Sequence, residues 1–193
     1  LIDFKRIDPA MMKNNFNLEK LQFPIGKFQN PDSISENDLE TWISIIENFP
    51  SRIKKLTSTL SVEELNWTYR PKGWNIKQVV HHCADSHINS FIRFKLALTE
   101  DIPTIKPYEE AKWAELVDGK SDEIFHSLQI IVSVHYRWVL LLKSLGTAEL
   151  KRQFTHPANK KTSSLDEIIG LYAWHCNHHL VHIEQALAHK GQF

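Results

Sequence analysis

Four stretches of this chain repeat apolar side chains at helical spacing for over about twenty residues each, which fixes the fold class before any motif is weighed. The first runs from Ser35 to Leu60, with Leu39, Trp42, Ile43, Ile46, Phe49, Ile53 and Leu56 recurring on one side. Pro50 lies inside it and predicts a kink or a boundary, because proline has no N–H for the carbonyl four residues back. The second runs from Asn75 to about Thr99 and opens on a capping pair, Asn75 and Gln78. The third spans Ser121 to Leu145, with Ile124, Leu128, Ile131, Val132, His135, Trp138, Val139 and Leu142 on its buried side. The fourth starts at Ser164, where Ser164 and Glu167 form a capping box, and reaches about His189.

Between these stretches there is no convincing strand alternation. The connections carry Pro and Gly, as in "NWTYRPKGW", and are longer than the short loops of an ideal up-and-down bundle. The expectation is an all-α four-helix bundle with long connections, forming one domain over residues 23–193. Residues 1–22 read as an N-terminal extension. Met11 and Met12 lie just downstream of a non-Met start, so residues 1–10 read as upstream or appended sequence.

Charge and composition remove several function classes. Lys+Arg and Asp+Glu are equal at 23 each, so the basic excess of a nucleic-acid binder is missing. No apolar run approaches the roughly 20 residues that cross a bilayer, and the first residues lack a signal-peptide pattern. Cys83 and Cys176 are too few for a disulfide framework, which predicts a reducing, cytoplasmic location. They read as small buried residues rather than ligands. Neither GxGxxG nor GxxxxGK[ST] occurs, and HExxH and GxSxG are absent. Only Glu123-Ile-Phe-His126 matches the Glu-x-x-His of a di-iron bundle, which requires two such motifs.

What the composition leaves is histidine. In "YAWHCNHHLVHI", His175, His178, His179 and His182 fall at i, i+3, i+4 and i+7, one face of the fourth helix. Ile168, Leu171 and Tyr172 lie near that face and predict that it points inward. Imidazoles at i and i+4 can present nitrogen to one ion, and two pairs qualify, His175/His179 and His178/His182. Spacing does not choose between them. The second helix adds "HHCADSH", in which His81, His82 and His87 share no face, and His87 points well away from the other two. His82, Ser86, Asn89 and Arg93 instead form a polar stripe on an otherwise apolar helix. Such a stripe is costly inside a bundle unless it lines a site. His82 is therefore expected as a third ligand, with Asn89 and Arg93 lining a pocket. Asp85 is a candidate to orient His82 or His81 from one turn away. His126, His156 and His189 read as ordinary surface or core residues.

Three segments, "FPIGKF", "GWNIKQVVHHCADSHINSFIRFKLALTEDIPTIKPY" and "YAWHCNHHLVHI", resemble in order the YfiT branch of the DinB-like metalloprotein superfamily. The similarity covers about Phe23 to Leu187. It implies a four-helix bundle with one divalent metal ion per chain, zinc or nickel, held by His82, His175 and His179. That assignment leaves His178 and His182 outside the ligand set, with His182 kept as a pocket candidate.

Three imidazoles leave a coordination position open, as in catalytic sites. The expected activity is a metal-dependent S-transferase that joins a low-molecular-weight thiol, bacillithiol-like by the resemblance, to an electrophile. Asn89 and Arg93 would steady an anionic part of that thiol. Hydrolysis by an activated water is the enzymatic alternative, and a non-enzymatic metal-binding stress-response bundle is the other. The expected partners are these small molecules, with neither nucleic acid nor membrane, and a homodimer through an apolar helix face.

Overall fold

A computed structural model describes residues 17–158 and 160–193. Residues 1–16, most of the expected N-terminal extension, lie outside the described residues. The long helices are α2 (Glu36–Thr57), α4 (Ile76–Thr99), α6 (Phe125–Leu142) and α8 (Leu165–His189). Short helices α1 (Leu18–Gln22), α3 (Val62–Leu65), α5 (Glu110–Trp113) and α7 (Thr147–Leu150) interrupt the connections.

Each long helix starts where the local chemistry satisfies its first free N–H groups. Ser35 and Asp38 make a reciprocal capping box on α2, and Asn75 and Gln78 do the same on α4. At α8 the box is half-formed. The Glu167 carboxylate accepts the Ser164 N–H at 3.1 Å, while the Ser164 hydroxyl turns to Asp166. The third helix is shorter than its sequence pattern, 18 residues, because Ser121 and Glu123 spend their side chains on capping turns before Phe125.

α2 packs against α6 and α8, and α4 packs against the same two. Consecutive long helices α2 and α4 therefore stand diagonally across the bundle, as do α6 and α8. A chain that crosses a diagonal needs a long connection, and this accounts for the excess loop length. The core contains Ile46, Phe49, Ile53, Phe94, Ile131 and Trp138, all fully buried. Val132, expected on the buried side of α6, is exposed instead. α2 and α8 approach closely at Gly170, where an added Cβ would stand 2.9 Å from the Trp42 ring.

Two further expectations are corrected. First, the α6–α8 connection contains an antiparallel hairpin, β1 (Gln153–His156) and β2 (Lys161–Ser164). With four residues per strand and only Phe154 and Ser163 turned inward, it offers too little alternation to read. Second, of the kink or boundary read at Pro50, the boundary is absent, and α2 continues to Thr57. The carbonyl that Pro50 leaves unbonded, that of Ile46, is taken by His135 Nδ1 at 2.7 Å. No helix among the described residues is long and apolar enough to cross a membrane.

Candidate metal centre

α4 and α8 face each other, and the inward histidines of both meet on that seam. His82, His175 and His179 bring one nitrogen each within 4.8 Å of one another. His82 Nε2 and His175 Nε2 are 3.3 Å apart. The His179 ring centroid lies 4.8 Å from that of His82 and 4.4 Å from that of His175. Burial pushes the His82 imidazole down to about 4, helped by the charge of His178. His175 and His179 are held well below the ordinary value by burial and by each other's neighbourhood of imidazoles. All three rings are therefore neutral near pH 7 and keep a lone pair for a cation.

The donor set fits a divalent ion. Two imidazole nitrogens on one tetrahedral zinc, each at about 2.0–2.1 Å, stand about 3.4 Å apart. The His82–His175 separation of 3.3 Å matches that edge. His82, His175 and His179 would hold the ion. A second trio, His178, His179 and His182, also gathers its nitrogens within 4.8 Å. His182 is stacked 3.8 Å from Tyr69, with Nε2 on the Gln22 carbonyl at 3.2 Å. His178 is stacked on Trp174 at 4.4 Å. These two rings thus sit under the α1 segment, away from the α4–α8 seam. Gln185, which bonds the Leu21 and Tyr69 carbonyls, pins that segment to α8.

His175 also forms part of the wall of a cavity of about 400 Å³ between α4, α8 and the hairpin. Arg93, His156 and Lys161 bring positive or protonatable groups to this cavity, and Glu110 and Glu167 bring carboxylates. Phe28 and Phe154 supply apolar surface. Of the stripe read on α4, Ser86 and Arg93 reach the cavity. Asn89 does not line it; its amide bonds back to the Asp85 carbonyl at 2.8 Å, as a polar side chain does one turn along its own helix. Nor does Asp85 orient His81, whose two ring nitrogens are engaged by Ser127 Oγ at 2.8 Å and the Ser121 carbonyl at 2.9 Å. Burial and the Asp118 charge push the Asp85 carboxyl up to about 6.

Sequence reasoning missed three contributors. His156, read as ordinary, stands in the cavity wall with Lys161, both from the unrecognised hairpin. His87, expected to point away, is fully buried, with Nε2 on His175 Nδ1 at 3.1 Å and Nδ1 on His135 Nε2 at 2.7 Å. A buried histidine among apolar neighbours must find a partner, and that requirement was the available signal. Cys83 and Cys176 are fully buried, and burial raises both thiols, as expected of inert core residues.

A four-helix bundle with a buried cluster of three imidazoles at ligand spacing is the class that fold and site define. The chain belongs to the DinB superfamily, whose family model matches residues 45–183. It is 42% identical over 171 residues to the protein named "Putative metal-dependent hydrolase YfiT" of Bacillus subtilis, covering 89% of this chain and 96% of that one. A similarly named protein of Halalkalibacterium halodurans is 46% identical over 166 residues, covering 86% of this chain and 96% of its own length. The solved YfiT structure from Bacillus subtilis superposes with a TM-score of 0.86 at 41% identity, covering 89% of this chain and 98% of that one. It is described as having "an unusual four-helix bundle topology".

Proposed function

We propose that the chain is a metal-dependent enzyme in which His82, His175 and His179 hold a divalent ion, zinc or nickel, beside the substrate cavity. When bound, the ion would act as a Lewis acid, lowering the pKa of a ligated water to about 7 or keeping a thiol as its thiolate. The leading reaction is transfer of a low-molecular-weight thiol to an electrophile. The sulfur–carbon bond forms as the bond from that carbon to its leaving group breaks, and the thiol proton departs with the leaving group or to solvent.

The observation that carries this reading is the make-up of the trio. Among the described residues, the groups able to hold a metal contain only histidines. A thiol on such an ion needs no general base, because the ion already favours the thiolate. Arg93 and Lys161 are placed to hold anionic parts of a polar thiol, and Glu110 and Glu167 to hold an amine. Phe28 and Phe154 offer the electrophile an apolar wall.

Hydrolysis is the second reading, and the names of the relatives favour it. The same three histidines and the same cavity would serve, with water as the attacking group. Zinc- or nickel-loaded protein incubated with cellular thiols and a chlorodinitrobenzene electrophile, with products read by mass spectrometry, separates the two. A thiol adduct formed faster than by a His82→Ala control supports transfer. Product carrying a water-derived oxygen supports hydrolysis, and no gain over the control with either class of substrate refutes both.

A further inference from the structure

The Ile46 carbonyl, freed by Pro50, belongs to a fully buried residue and can only accept a hydrogen bond. His135 Nδ1, 2.7 Å away, must therefore carry a proton. A neutral imidazole has one donor and one acceptor, so His135 Nε2 is an acceptor. His87 Nδ1 lies 2.7 Å from it and must donate. That leaves His87 Nε2 as an acceptor, and His175 Nδ1, 3.1 Å away, must donate in turn. His175 Nε2 then carries only a lone pair, and it is the atom that faces His82 Nε2 at 3.3 Å.

We propose that His87 and His135 are positioning residues which, anchored on the Ile46 carbonyl, hold His175 in the one tautomer whose Nε2 can bind a cation. This rests on the reading of His82, His175 and His179 as the metal centre and adds two residues and a direction to it. The chain is a lock rather than a proton wire, because a peptide carbonyl at its far end neither supplies nor stores a proton. Its rings are clamped by packing as well. His135 stacks on Phe49 at 5.4 Å, and His87 meets Phe49 at 5.1 Å and Tyr172 at 5.5 Å. Ligating histidines commonly give their second N–H to a carboxylate or carbonyl. Here a neutral imidazole takes that place, and it can accept only because a third ring has fixed its own tautomer.

Two measurements test the proposal. Long-range ¹⁵N–¹H correlation spectra of the labelled protein, metal-free and zinc-loaded, distinguish Nδ1–H from Nε2–H rings. Nδ1–H at His135, His87 and His175 is expected in both states; an Nε2–H tautomer at His135 or His87 overturns the proposal. Zinc affinity, read by competition with a chromophoric chelator, supplies the second readout. His87→Leu removes the acceptor for His175 and is expected to weaken zinc binding by about 10–100-fold. His87→Gln keeps an acceptor oxygen and is expected to stay within a few-fold of the parent. Equal affinities of both variants and the parent, or equal losses in two variants whose metal-free circular dichroism is unchanged, would sink it. Failure of the zinc-loaded parent to transfer a thiol or hydrolyse a substrate leaves both readouts intact and bears on the proposed reaction alone.

Discussion

His82 Nε2 and His175 Nε2 meet at 3.3 Å across the α4–α8 seam, each on a ring that burial keeps neutral. Without metal, His82 Nε2–H can donate to the His175 Nε2 lone pair; a cation takes the place of that proton and is met by nitrogens the fold has already gathered. A divalent ion should therefore bind the folded state far better than the unfolded chain and raise its melting temperature. At free metal of 100 times Kd, the stabilisation is about 2.7 kcal/mol. Thermal melts with zinc, with nickel and with a chelator check this, and His179→Ala should abolish most of the shift.

Acid should destabilise the metal-free protein. His135 and His178 are both pushed down to about 4, chiefly by burial, whereas the same rings titrate near 6.5 in the unfolded chain. Below 6.5 the unfolded state binds protons that the folded state refuses. Stability is thus fully present above about pH 6.5 and falls progressively as pH drops toward about 4. Urea midpoints of metal-free protein between pH 8 and pH 5 should decline over the lower half of that range. A flat profile would contradict the buried, neutral state of these rings.

Neither cysteine should react while the bundle is folded. Both are fully buried, and burial raises both thiols, so the thiolate that alkylating reagents require is scarce and shielded. Iodoacetamide followed by mass analysis should label neither in native protein and both in denaturant.

Gly170→Ala should destabilise the fold despite alanine's better helix propensity. The new methyl would stand 2.9 Å from Cη2 and Cζ3 of Trp42, between α8 and α2. Overpacking costs about 1–3 kcal/mol against roughly 1 kcal/mol gained from propensity, and rigid ring atoms at 2.9 Å put the cost in the upper part of that range. Equilibrium denaturation of the variant and the parent gives the sign directly.

Arg93→Ala should raise KM about tenfold or more for a substrate or thiol carrying an anionic group, since hydrogen bonds to charged groups are worth about 1.5–3 kcal/mol. Arg93 stands in the cavity wall but not in the histidine trio, so kcat should change little. Steady-state kinetics with charged and neutral substrates would show whether the effect follows the charge.

The parts legible in the sequence were those written in a local period. Helical spacing and the Asn75 and Ser164 caps placed the long helices within a few residues, and i,i+4 spacing found the histidine pairs of α8. Spacing could not choose between His175/His179 and His178/His182. Both pairs point inward, and only the seam with α4 on one side and the α1 segment on the other tells them apart. The hairpin carried no readable period, so His156 and Lys161 stayed hidden from the site. His87 was misjudged for a different reason. A step of five residues turns about 140° from His82 along α4, yet the His175 ring lies between the two and touches both, one nitrogen to each. A boundary stood beside a kink in the reading of Pro50 because the local rule knows nothing of an imidazole arriving from α6.

The diagonal placement of consecutive helices has a bearing on how the protein is made. His82 and His175 are 93 residues apart in sequence, and neither sequence neighbour of the α4 helix completes the centre. During synthesis the half-site on α4 leaves the ribosome early and must wait for α6 to dock and α8 to cross. A contact of that range forms late, after most of the loop-closure entropy has been lost. Metal capture should therefore lag behind helix formation in refolding, and an ion added to the nascent chain would find no binding site until the last long helix has arrived.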